Sequence, residues 1–179
     1  MALPKGTHQH RIPFYRFRIS ITLLFFTGMR AAEVAELKQI QIMNAIEYGH
    51  IDVVLAKTRR SHRYVLTQAG RRTLSHLRRE IINVFYKSDR LAGNLYQCNW
   101  VAFLNNRIKV AADHFHLNIS SHSFRAGYIT RILRIASVHQ VAQIVGHQDY
   151  RSTLSYNRYV PDQETILLEQ SEKLAEPNN

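Results

Sequence analysis

His122-Ser123-Phe124-Arg125, Gly146-His147 and Tyr156 fall within one stretch of the sequence, and Arg30 lies far upstream in Thr27-Gly28-Met29-Arg30-Ala31-Ala32-Glu33. The residue types define a chemistry. An arginine fork clamps phosphate oxygens, a histidine moves or donates a proton, and a tyrosine hydroxyl can attack phosphorus. No single member of the set is informative, but their order and spacing are. Tyr159 lies one helical turn beyond Tyr156, so the residues alone leave two candidate nucleophiles.

Helices must position these groups. Phe14, Phe17, Ile21, Leu24 and Phe25 recur at three- and four-residue steps, which predicts a first helix over 14–27. Gly28 ends it, because glycine takes the left-handed conformation of a helix terminus at little cost. Arg30 then stands at the start of a short helix over 31–37, beside free backbone N–H groups that suit a phosphate. His122 and Arg125 are three apart at the start of a helix over 123–136, capped by Ser120 or Ser121. Ser137 caps a helix over 138–145, Gly146 ends it, and His147 sits in the turn. A short helical run over 153–160 carries Tyr156 and Tyr159, and Pro161 breaks it.

Between the two arginine segments, the β-branched run 51–55 reads as a strand after the turn at Tyr48-Gly49-His50, and 63–67 as its returning partner. The hairpin brings Lys57, Arg59, Arg60 and Arg63 together, a basic finger suited to nucleic-acid backbone. Thr67 caps one long helix over 68–87. A further helix over 100–114 turns Val101, Leu104, Ile108 and Ala111 inward. The fold class is α+β, mainly α, with a small antiparallel β-sheet at about 51–67.

Composition narrows the partner. Lys and Arg number 24 against 13 Asp and Glu, a formal charge of +11, and the pI is near 10.2. In a chain of 179 residues that is 45% apolar, this describes a folded domain with a polyanionic partner. Cys98 is alone, which excludes an internal disulfide and a cysteine metal cluster. No metal site and no cofactor is expected. The apolar run 19–26 is interrupted by Ser20 and Thr22 and is too short to span a bilayer.

Taken together, these segments resemble the catalytic domain of the tyrosine recombinases, the phage-integrase-like family. Thr27 to Val34 is similar to that family's first arginine box, with Glu33 in the place of an acidic residue that supports the arginine. Lys57 falls on the hairpin-turn lysine. His122-Ser123-Phe124-Arg125 matches the H-x-x-R box, and Val145-Gly146-His147 its following G-H. Tyr156, nine residues after His147, stands at the nucleophile position, which favours it over Tyr159. Ala126 stands where the family often has histidine.

The resemblance implies a DNA breaking-and-rejoining enzyme, a site-specific recombinase or integrase working through a 3′-phosphotyrosyl intermediate. Its catalytic residues would be Arg30, Lys57, His122, Arg125, His147 and Tyr156, supported by Glu33, with Arg59, Arg60 and Arg63 on DNA. Double-stranded DNA is the partner, met by a homo-tetramer that can be a monomer when free, in the cytoplasm with the nucleoid or another DNA-containing compartment. A topoisomerase IB-like enzyme and an inactive DNA-binding protein are alternatives with the same fold. Residues 1–13 read as a lead-in, 14–160 as the catalytic domain and 161–179 as a C-terminal helix or tail that docks on a neighbouring subunit. The N-terminal domain with which such proteins grip the opposite side of DNA is not expected within these residues.

Overall fold

The computed structural model describes residues 8–55 and 58–156. In chain order they form α1 His8–Thr27, α2 Ala31–Ala35, α3 Gln39–Tyr48, β1 His50–Val54 and β2 Ser61–Val65. Then follow α4 Gln68–His76, α5 Arg78–Phe85, α6 Gln97–Asp113, α7 Ser121–Ile132, α8 Val138–Ile144 and α9 Arg151–Leu154. The two strands pair antiparallel, with Ile51 opposite Tyr64 and Val53 opposite His62. The mainly helical reading with one small antiparallel sheet is therefore correct.

Most of the core gathers around α1. Ile19, Leu23 and Leu24 are fully buried and pack with Val34, Ile42, Ile51, Tyr64, Leu74, Ile81, Trp100 and Leu104. A second, smaller cluster joins Ile129 and Leu133 of α7 and its end to Val141 and Val145 of α8 and its end, with Tyr156 packed against it. Helix α7 belongs to both, since Phe124 packs on the first cluster and Ile129 on the second. The chemistry-bearing residues lie along this seam.

Several boundaries differ from expectation, each for a local reason. Helix α1 starts at His8, ahead of Phe14, and takes Pro13 inside its second turn, where the ring has no N–H to give the helix. Its buried stripe runs through Ile19 and Leu23, while Phe25 is 47% exposed. Residues 39–48 form α3, which no sequence pattern announced. Ile40 and Ile42 alternate as in a strand, but Gln41 Oε1 accepts the Lys38 backbone N–H at 2.8 Å and Gly49 closes the helix at φ 76°. The expected helix over 68–87 is two helices broken at Leu77. Thr73 and Ser75 turn their hydroxyls back onto the carbonyls of Ala69 and Arg72, a competition that bends helices. On α6 the buried stripe is Trp100, Leu104, Ile108 and Ala112, a strict four-residue step that leaves Ala111 exposed. The helical run expected over 153–160 is α9 at Arg151–Leu154, which begins earlier and ends ahead of Tyr156; Tyr159 and the expected tail helix fall in 157–179, outside the described residues.

Candidate active site

The first arginine is placed by the turn after α1. The buried Thr27 hydroxyl donates to Leu23 O at 2.6 Å and accepts from Met29 N at 3.2 Å, locking the chain as it leaves the helix. Gly28 follows at φ 64°. Arg30 then takes the N-cap position of α2. Glu33 reaches back with both oxygens: Oε2 accepts the Arg30 backbone N–H at 2.8 Å, and Oε1 accepts Arg30 Nη1 at 2.9 Å. A helix of five residues has little stability of its own, so its surroundings must hold it. Trp100 Nε1 donates to Ala31 O at 3.1 Å, while the backbone N–H groups of Leu91 and Ala92 cap Leu37 O and Ala35 O.

The second arginine is buried. Arg125 is 3% exposed, and its two terminal nitrogens donate to Gly28 O at 2.6 Å and Val145 O at 2.8 Å. One guanidinium thus ties the turn that positions Arg30 to the turn that positions His147. Burial lowers its pKa, and the neighbouring Arg30 lowers it further, yet an arginine starts so high that it stays charged. Arg30 and Arg125 lie within electrostatic reach of each other with Glu33 as their shared counter-charge, a net positive balance that suits an anion.

His147 follows Gly146, whose φ is 68°. A side chain at Gly146 would press within 3.0 Å of Leu55 and 3.3 Å of His62, so the turn sits tight on the hairpin. His147 Nδ1 lies 2.8 Å from the hydroxyl of the fully buried Thr153. Burial, then Arg125 and Arg30, push the His147 pKa down to about 4, so the ring is neutral at pH 7. Tyr156 packs its ring on the second core cluster and lies 6.5 Å, nearly parallel, from the His147 ring. Its hydroxyl is 3.1 Å from Nε2 of the exposed His122.

Of the residues anticipated from sequence, Arg30, Glu33, His122, Arg125, His147 and Tyr156 are linked through these contacts. Lys57 lies outside the described residues. Arg59 and Arg60 are exposed at the hairpin turn, where Arg59 adopts φ 56°. Arg63 sits apart on the outer face of β2, its guanidinium held by both oxygens of Asp52 at 2.7 and 2.9 Å. Sequence reading missed three further residues at the site. They are Thr153, the buried Tyr64 whose hydroxyl donates to Glu33 Oε2 at 2.9 Å, and His62, whose Nε2 donates to Ile144 O at 3.0 Å. The two-residue period of β2 puts Tyr64 and His62 on the face that carries buried Leu66, a signal for burial that does not name their partners.

Two expected results follow from this geometry. A Cβ at Gly28 would stand 2.4 Å from Tyr128 Cδ1. Gly28→Ala should therefore cost about 1–2 kcal/mol for the left-handed backbone and a further ~1–3 kcal/mol for displacing Tyr128. Urea denaturation reads this directly, and an unchanged midpoint would refute the packing described. The second concerns pH. The folded-state pKa of His147 lies below the free value of 6.5, so the unfolded chain takes up the proton first as pH falls. The stability associated with neutral His147 is complete above about pH 6.5 and declines as pH drops toward 4. Comparing wild type with His147→Gln across that window should show a shallower decline in the variant; parallel curves would contradict the burial.

No curated protein sequence matches the chain. Solved structures do, at low identity. The crystal structure of XerA recombinase is 16% identical with a TM-score of 0.67, covering 96% of this chain and 64% of that one. XerH site-specific recombinase bound to its difH substrate in a pre-cleavage complex is 20% identical with a TM-score of 0.62, covering 98% and 50%. A lambda integrase dimer bound to a COC′ core site is 15% identical with a TM-score of 0.57, covering 84% and 57%. The chain thus spans about half to two thirds of the length of these proteins and shares the fold of their catalytic domains. The family model described as the phage integrase family matches residues 9–163. On that match, which takes in both arginine segments, the G-H turn and Tyr156, the chain belongs to the phage integrase family.

Proposed function

We propose that this chain is the strand-cleaving domain of a site-specific DNA recombinase, with Tyr156 as its nucleophile. The observation that carries the reading is the 3.1 Å contact between the Tyr156 hydroxyl and His122 Nε2, on the helix that also presents Arg125. In the proposed step the phenol oxygen attacks a backbone phosphorus and its proton passes to His122. The bond between phosphorus and the 5′ oxygen breaks, and Lys57 protonates that oxygen. The products are a 3′-phosphotyrosyl link and a free 5′-hydroxyl. The link keeps the phosphodiester energy, so rejoining needs no nucleotide.

Arg30 and Arg125 hold the two non-bridging oxygens, a task for a planar, permanently charged fork. The Thr153 hydroxyl donates to His147 Nδ1, leaving Nε2–H to donate to the phosphate. Arg59 and Arg60 lie on the DNA backbone, and Arg63, whose Nε and Nη2 are held by Asp52, has Nη1 left to join them. Four copies assemble on the duplex. No helix among the described residues is long and apolar enough to cross a membrane.

A nicked suicide substrate, incubated with the protein in EDTA and resolved on a denaturing gel, tests the reading. A covalent protein–DNA band is expected, and strand exchange separates a recombinase from a topoisomerase. Absence of the band across a library of duplex sites would count against the mechanism.

A further inference from the structure

Tyr64 is a buried phenol at the meeting point of the two arginines, and the proposed reaction does not use it. It stands in β2 opposite Ile51 and is 1% exposed. Its hydroxyl donates to Glu33 Oε2, the oxygen that also accepts the Arg30 backbone N–H. Arg125 approaches the same phenol. Burial, followed by the negative charge of Glu33, pushes the Tyr64 pKa well above its ordinary value, while Arg125 pulls it the other way. The phenol is thus a neutral donor at any working pH.

The His62 and Tyr64 rings meet nearly at right angles with centroids 4.5 Å apart, which restrains the phenol. Simple packing would be met by phenylalanine at this position. The hydroxyl needs a different reason, and Glu33 supplies it. This carboxylate is 9% exposed and has two cations within its influence, Arg30 and Arg125. Left to itself it could neutralise either one. A carboxylate drawn to Arg125 would occupy N–H groups that a phosphate needs and would loosen Arg30.

We infer that Tyr64 is a positioning residue: its hydroxyl fixes Glu33 on Arg30 and keeps the carboxylate off Arg125, so that both guanidinium groups present donors to one phosphate. The kinetic part of this inference rests on the proposed strand cleavage, whereas the structural part does not.

Tyr64→Phe tests it. Thermal unfolding establishes that the variant folds, and its DNA affinity should match wild type. At saturating DNA the rate of covalent capture should fall roughly ten- to a hundredfold, the effect of one lost hydrogen bond to a charged group. In a Glu33→Gln background, where no negative charge can be drawn to Arg125, adding Tyr64→Phe should change the rate by less than about twofold. A role in packing alone would give additive losses. Nitrogen-15 spectra of the arginine side chains need no reaction. The Arg30 Nη signals should be distinct in wild type and merge in Tyr64→Phe, while Arg71, anchored on Ile46 O and Glu47 O, stays unchanged. Additive rates, or Arg30 signals unaffected by the substitution, overturn the inference. If wild type forms no adduct at all, the proposed cleavage fails, and the arginine spectra alone decide the role of Tyr64.

Discussion

Tyr156→Phe is expected to abolish covalent capture of DNA while leaving fold and DNA affinity close to wild type. The substitution removes one oxygen. The ring keeps its place against Ile129, Leu133, Val141 and Val145, so little packing is lost. What disappears is the atom that attacks phosphorus and its hydrogen bond to His122. With the attacking atom gone, the adduct should fall below detection rather than decline. Tyr159→Phe serves as the matched control and should leave the adduct in place. Capture retained by Tyr156→Phe and lost by Tyr159→Phe would move the nucleophile three residues along the chain.

Arg125→Lys should be almost as damaging, for a reason that charge alone does not capture. The guanidinium uses two separate nitrogens to hold Gly28 O and Val145 O. A lysine has one ammonium on a flexible stem and cannot span both carbonyls. One of them is left buried without a donor, a loss of about 1–3 kcal/mol of stability. The donors aimed at the phosphate are lost with the fork, and removing one such donor typically slows a reaction on the order of a hundred- to a thousandfold. Urea midpoints and single-turnover cleavage measure the two effects separately. A lysine variant that is both as stable and as fast as wild type would show that the fork does not bridge the two turns.

The contrast between His122 and Arg125 shows what the sequence could reveal. Their three-residue spacing put them on adjacent turns of one helix face, and Gly28 and Gly146 marked the turns that precede Arg30 and His147. All of these are local signals. The burial of Arg125 was not legible, because its partners are carbonyls 97 and 20 residues away, and nothing near Arg125 in the chain announces them. Tyr64 was hidden in the same way. As one apolar-looking residue of a short strand it reads as core, and only the fold brings Glu33, 31 residues distant, to its hydroxyl. Helix α3 escaped because its isoleucines alternate like a strand, while its stability comes from a side-chain cap and a glycine stop. The basic hairpin was recognised as a unit, yet the pairing of Arg63 with Asp52 depends on strand register, which charge counting does not supply.

The central claim is that the hydroxyl beside His122 becomes bonded to DNA, and mapping the adduct tests it most directly. Wild-type protein trapped on a suicide duplex in EDTA would be digested with protease and nuclease, and the nucleotide-bearing peptide sequenced by mass spectrometry. The expected result is a single modified peptide containing Tyr156, with the nucleotide attached through its 3′ phosphate to the phenol oxygen. A nucleotide on any other residue, or a linkage through a 5′ phosphate, would contradict the account.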